Sequence, residues 1–200
     1  MQDLPPHWLA GGVDWLHRYG LIAPIVQLLL VTVLGFAFAE RWQRWRQRRD
    51  FQYRTLVRFS ELSADLMDRL SELLVMRGRI ATEAYAEKRR EMIARWTSFA
   101  SMRPEVMACF GRAFILSEDY QRMFTALSTL MALARAPEPV PLARFEPEEE
   151  KFLAHREAVV ANMVRAMGFV SNRECRAEIE HAHKRVKKAN EILDQGGAVR

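Results

Sequence analysis

Two glutamate–histidine pairs on one predicted helix are the residues of this sequence best suited to chemistry. Glu178 precedes His181 by three positions, and Glu180 precedes His183 by three. On a helix this spacing lets a carboxylate and an imidazole bind one metal ion, as in di-metal helical bundles. Such bundles need a second pair on another helix, and His155 has no acid three positions before it. The pattern therefore favours a solvated polar face over a metal site at these four residues.

Motifs for other chemistry are missing from the sequence. It has no phosphate-binding glycine loop, dinucleotide-binding glycine motif, serine-hydrolase elbow, HExxH zinc motif or Cys/His cluster. Cys109 and Cys175 lack CxxC spacing, and we expect both to be small buried residues. Four basic residues between 184 and 188 have acids nearby, which is typical of a solvated face rather than a nucleic-acid site. We therefore predict a protein that is not an enzyme and that needs no cofactor.

Apolar residues at helical spacing predict an all-α fold. One stripe in the first half and one near the C-terminus each recur at steps of three and four: Phe59, Leu62, Leu66, Leu70 and Leu73, then Cys175, Ile179, Ala182, Val186, Ala189 and Leu193. Pro137, Pro139 and Pro141 predict an extended connector, and Pro147 is expected at the first position of the next helix. Ser171 and Glu174 have the spacing of a capping box.

The nineteen residues from Leu21 to Ala39 contain no charge, and they predict a membrane-spanning helix. Nineteen helical residues rise about 28 Å, close to the ~30 Å hydrocarbon core of a bilayer. Aromatic residues flank the stretch on both sides, as in the aromatic belts at membrane interfaces: Trp8, Trp15 and Tyr19 before it, Trp42 and Trp45 after it. Because neither glycine nor proline occurs from 36 to 77, this helix is expected to continue into the bundle.

Basic residues predict the orientation of the span. Seven arginines and a single acid lie between 41 and 58, including Arg41, Arg44, Arg46, Arg48 and Arg49, whereas the preceding tail is almost neutral. The positive-inside rule then places the C-terminal part in the cytoplasm and the tail outside, and the arginines are suited to anionic lipid headgroups. A cleaved signal peptide is the alternative, since residues 37–39 read Ala-Phe-Ala. Its expected basic N-terminal region is missing, and the arginines should resist translocation.

Small and polar residues within the span predict helix association. Thr32, Gly35 and Ala39 share one face, and small residues spaced by four let two backbones approach closely. Gln27 lies on a different face, where an interhelical hydrogen bond and a tolerated lone amide are equally compatible with the sequence.

Together these patterns predict an all-α, single-pass protein of the bacterial inner membrane, whose N-terminal span continues into a cytoplasmic bundle of five to six helices. The predicted segments are an external tail, the span, an arginine-rich segment, a first bundle part, a connector and a C-terminal hairpin (1–20, 21–39, 40–58, 59–135, 136–146 and 147–195). The predicted function is a membrane-anchored scaffold or adaptor that docks a protein partner. The alternative is an oligomeric pore or membrane-depolarising effector. The expected partners are the bilayer and either a protein or further copies of the chain, and no nucleic acid is expected.

Overall fold

A computed structural model describes residues 7–76, 83–135 and 142–197, with side chains described for 26–76, 83–135 and 143–195. Two predictions fall on residues outside these ranges: the interfacial side chains of Trp8, Trp15 and Tyr19, and residues 136–141 of the connector. The described residues contain helices and no strand, which confirms the all-α prediction. The helices are α1 (His7–Val75), α2 (Glu83–Ala100), α3 (Arg103–Phe110), α4 (Arg112–Ile115), α5 (Glu118–Arg135), α6 (Leu142–Met167) and α7 (Asn172–Gly197).

The chain divides into two compact units, Met1–Arg48 and Arg49–Arg200. Helix α1 is continuous across the boundary, as the lack of glycine and proline after residue 36 predicted. The first unit is helical from residue 7 on, and the second contains all the other helices.

The core of the second unit is built on the predicted stripe of α1. Phe59, Leu66, Leu70 and Leu73 are buried, and Leu62 packs against them. A run of aromatic rings then connects the helices. Phe59 contacts Phe99 of α2 at 5.2 Å between centroids, Phe99 contacts Phe124 of α5 at 5.4 Å, and Phe124 contacts Tyr120 at 5.0 Å. Because each buried aromatic removes a large apolar area from water, this run accounts for much of the cohesion between α1, α2 and α5.

Gly111 separates the two short helices α3 and α4. Its backbone has φ of +90°, in a region that residues with a side chain rarely adopt, and α3 ends before it while α4 begins after it. The break lets α4 change direction, with Ile115 buried in the same core.

Helix α6 begins at Leu142, five residues earlier than predicted. Pro147 therefore lies inside the helix, where it removes a hydrogen bond to the carbonyl of Ala143, at a typical cost of about 3 kcal/mol. Phe145, in the additional turn, is only 1 % exposed. Burial of such a side chain contributes about 1.5–3 kcal/mol, enough to offset most of the proline's cost.

Helices α6 and α7 form the predicted C-terminal hairpin. Ser171 and Glu174 make the predicted capping box: the Ser171 amide donates to Glu174 Oε2 (3.2 Å), and the Glu174 amide donates to Ser171 Oγ (3.3 Å). Small buried residues, Ala154 and Ala158 of α6 with Ala182 of α7, line the seam between the helices. The α7 stripe is confirmed, since Cys175, Ala182, Val186 and Ala189 are buried.

Candidate functional site

Apolar side chains on α1 form the largest exposed apolar surface in the described part of the first unit. Every large aliphatic or aromatic side chain from residue 26 to 38 is at least 47 % exposed: Val26, Leu28, Leu29, Leu30, Val31, Val33, Leu34, Phe36 and Phe38. Because each residue turns a helix by about 100°, these positions are distributed around its whole circumference. The helix is thus apolar on every side, and no face of this stretch packs into a core.

Within the described residues, no helix includes an apolar stretch of the length needed to cross a membrane.

The aromatic and basic residues that follow this stretch are exposed too. Trp42 stacks on Phe38 (6.3 Å between centroids) and on Trp45 (5.1 Å). The four arginines Arg41, Arg44, Arg46 and Arg48 are exposed, and Arg44 pairs with Glu40. The predicted interface residues after the span therefore form an exposed aromatic and cationic surface.

Arg49 differs from the other arginines of the predicted interface because it contacts the bundle. Its Nη2 donates to the carbonyl oxygen of Met167 at 2.5 Å, and its guanidinium lies 5.0 Å from the centre of the Phe169 ring. These two contacts join α1 to the end of α6 and to the turn that follows it.

The predicted helix-association residues are all exposed. Gly35 has open space where a side chain would project, since no atom lies within 4 Å of a Cβ placed there. Gln27 and Ala39 are exposed, and Thr32 donates its hydroxyl to the carbonyl oxygen of Leu28 at 2.7 Å. The small residues are therefore not used in packing among the described residues.

The four residues weighed as metal-ligand candidates do not come together. Glu178, Glu180 and His181 are exposed, and only His183 joins a cluster of acid and imidazole groups. The described residues contain no group of three or more His, Cys, Asp or Glu side chains that could hold a metal ion.

His183 instead belongs to a cluster around Asp119, which the sequence patterns did not identify. Asp119 Oδ1 accepts hydrogen bonds from His183 Nε2 at 2.7 Å and from His155 Nδ1 at 3.3 Å. The three residues come from α5, α6 and α7. The side chain of His155 is 4 % exposed and that of Asp119 13 %, whereas half of His183 remains exposed.

The electrostatics of this cluster favour a charged Asp119. Burial alone would raise the pKa of the Asp119 carboxyl, but the hydrogen bonds from His155 and His183 and the charge of the two rings lower it below its usual value. The carboxylate therefore stays ionised and holds three helices together. Neither imidazole is hydrogen-bonded to a serine, threonine or cysteine side chain in the described residues, so the cluster lacks the nucleophile of an acyl-transfer site.

A second polar group missed by the sequence patterns is the part-buried guanidinium of Arg156. Its Nε donates to Ser63 Oγ at 2.6 Å and its Nη2 donates to the carbonyl oxygen of Ser60 at 3.1 Å. Burial lowers the pKa of Arg156 below its usual value, and the charge of Glu157 opposes this shift only in part. Arg156 joins α6 to α1, and a groove between α6 and α7 lies beside it.

Comparison with known proteins assigns no family: no family model matches the sequence, and neither a curated protein nor a solved structure matches it significantly.

Proposed function

We propose that this chain is a single-pass, membrane-anchored helical adaptor, whose second unit docks a protein partner at the cytoplasmic face of a bacterial inner membrane. The observation that carries the proposal is the uncharged and predominantly apolar exposed surface of α1 between Val26 and Phe38, in which Gln27 and Thr32 are the polar residues. Exposed apolar surfaces of this kind mark membrane or protein contacts, and a helix that is apolar on every side is typical of one surrounded by lipid.

The residues after this surface support the same proposal. Trp42 and Trp45 are exposed and stacked, as suits the interface between hydrocarbon and headgroups. Arg41, Arg44, Arg46 and Arg48 are exposed among them and favour the side with anionic lipids. The predicted span begins at Leu21, whereas side chains are described only from residue 26. The complete membrane anchor is therefore part of the proposal.

The adaptor role is proposed because the second unit has a bundle core, and because neither imidazole of the Asp119 cluster is hydrogen-bonded to a hydroxyl or thiol group among the described residues. Arg49, Arg156 and the Asp119 cluster each connect separate helices, which makes the bundle a firm platform for a partner.

A matched pair of variants tests the anchor. The double variant Leu30→Arg/Leu34→Arg places two charges in the proposed span, each costing about 2.5–3.5 kcal/mol at the centre of a membrane helix. Leu116→Arg/Met107→Arg changes two exposed apolar residues of the second unit and serves as the control. The wild type and the control should stay in the membrane pellet after carbonate washing, while the span variant should be lost from it. A wild-type chain that washes off, or a mature chain beginning at Glu40, would contradict the anchor.

Self-association as an oligomeric pore or depolarising effector is the second candidate, and the open space at Gly35 favours it. Because Gly35 has no side chain, two helices can bring their backbones close together at that position. No atom of the described residues fills the space beside it. This candidate predicts growth arrest and loss of membrane potential on expression, both relieved by Gly35→Leu. Normal growth at high expression would count against it.

A further inference from the structure

An apolar groove lies between α6 and α7 of the second unit. It has a volume of about 550 Å³, within the range of ligand pockets, and it borders Ser60 of α1. Its apolar lining comes from α6, the following turn and α7: Val160, Ala161, Val164, Val170 and Cys175. Val170 is 40 % exposed, and the three α6 residues are only part-buried, so the groove is open to solvent in the part of the chain that the structure describes.

The length of the groove matches a helix. Its lining on α6 runs from Arg156 to Val164, two residues that lie eight positions apart and so about 12 Å apart along the helix axis. Apolar side chains at positions i and i+7 of a partner helix lie about 10.5 Å apart and would fit within that length. An amphipathic helix docked in an apolar groove through such anchors is a common mode of peptide recognition.

The charge at the rim of the groove indicates the charge of the partner that would bind there. Three carboxylates lie at the rim, and Glu157, Glu174 and Glu178 are all exposed. Arg185 binds Glu157, and the hydrogen bonds from Ser171 lower the pKa of Glu174, which keeps it ionised. Among the described residues that line the groove, the one cation is Arg156, and its guanidinium donates hydrogen bonds to Ser60 and Ser63 of α1. The rim is therefore negative, which disfavours nucleic acid and anionic lipid and favours a basic partner.

We infer that this α6–α7 groove is the docking site of the adaptor, and that it binds a partner helix with two or three apolar side chains on one face and Lys or Arg beside them. The inference rests on the proposed adaptor function and adds its binding surface and the chemistry of its partner.

A labelled model helix tests the groove directly. The probe is an 18-residue helical peptide with Leu at positions i, i+4 and i+7 and with Lys on either side of this apolar face. The control peptide has Glu in place of each Lys. Binding to the full chain in nanodiscs of zwitterionic phosphatidylcholine is followed by fluorescence anisotropy. The wild type should bind the Lys peptide at least 10-fold more tightly than the Glu peptide. Equal affinities would overturn the inference.

Two variants locate the binding. Ala161→Trp fills the groove and should weaken binding of the Lys peptide at least 10-fold. Glu174→Gln/Glu178→Lys changes the rim charge by +3 while Gln keeps the capping hydrogen bonds, and it should abolish the preference for the Lys peptide. Glu61→Gln/Glu87→Lys makes the same charge change at exposed residues outside the groove lining and should bind like the wild type. Circular dichroism verifies that each variant is folded. If both groove variants bind as the wild type does, the inference is wrong.

Crosslinking in cells separates this inference from the adaptor proposal. A photo-crosslinking residue is placed at Val164 in the groove or at Ser128, an exposed residue of α5. Crosslinks from Val164 that disappear with Glu174→Gln/Glu178→Lys support the groove. Crosslinks to a distinct protein from Ser128 alone would overturn the groove and leave the adaptor function in place. Crosslinks from both positions to further copies of this chain only would overturn both.

Discussion

Arg49 of α1 donates a hydrogen bond to the carbonyl oxygen of Met167, the last residue of α6. The carbonyls of a final helical turn have no partner within their helix, and a cation there also interacts favourably with the helix dipole. Gly168 follows with φ of +70°, and a Cβ at that position would lie 3.4 Å from Arg49 Nη2. Arg49 thus caps α6 at the point where the chain turns towards α7, and it joins this hairpin to α1.

Arg49→Ala should destabilise the chain by about 1–2 kcal/mol, because it removes this hydrogen bond and the contact with the Phe169 ring. The measurement is urea unfolding of the full chain in mild detergent, followed by circular dichroism. Arg48→Ala removes the same charge from an exposed neighbour and should change the free energy of unfolding by less than about 0.5 kcal/mol. Equal effects of the two changes would show that Arg49 acts through charge alone.

Asp119→Asn should make the stability less sensitive to acid. Because the pKa of Asp119 is lowered in the folded chain, its stabilisation is fully present above the unfolded pKa of about 3.9 and is lost as the pH falls through the folded value. At pH 7 the variant should be less stable by about 1–2 kcal/mol, and the difference should shrink as the pH falls below about 4.

Glu118→Gln is the matched control, since Glu118 lies beside Asp119 in the first turn of α5 but is exposed and pairs only with Arg122 among the described contacts. It should change stability little at either pH. A gap between wild type and Asp119→Asn that stays constant down to pH 3 would contradict the assigned role of the carboxylate.

The sequence could predict the parts of this fold that depend on local pattern. The stripes of α1 and α7 are read from steps of three and four, and the Ser171–Glu174 capping box from residues three apart. The Asp119 cluster could not be predicted, because it joins residues 36 and 64 positions apart on three helices. His183 was singled out for its local neighbour Glu180, while its actual partner depends on how α5, α6 and α7 pack. Arg156 was missed for the same reason, since Ser63 is 93 positions away.

Pro147→Ala tests the reason why α6 starts earlier than the sequence predicted. In the structure Pro147 is the sixth residue of α6, so alanine there should restore the hydrogen bond to the Ala143 carbonyl. We expect a stabilisation of about 1–3 kcal/mol, measured by urea unfolding. Ala154→Pro, in the buried middle of the same helix, should strongly destabilise the chain. Loss of stability in Pro147→Ala would indicate instead that Pro147 starts the helix, as the sequence pattern suggested.

Gly35→Leu should leave the chain's own fold intact, because no atom lies within 4 Å of the added Cβ and the glycine has ordinary helical geometry. We expect the helix content to be unchanged and the free energy of unfolding to move by no more than about 0.5 kcal/mol. Gly111→Leu is the contrasting variant: position 111 also has open space, but its φ of +90° should make a leucine there cost about 1–3 kcal/mol of stability.

Any effect of Gly35→Leu on stoichiometry, measured by light scattering in mild detergent, must then arise from contact with another chain. The adaptor proposal predicts no change, whereas the pore candidate predicts that a homo-oligomer dissociates. A large loss of stability in Gly35→Leu itself would show that α1 packs against this face within the chain and would remove the argument for association through it.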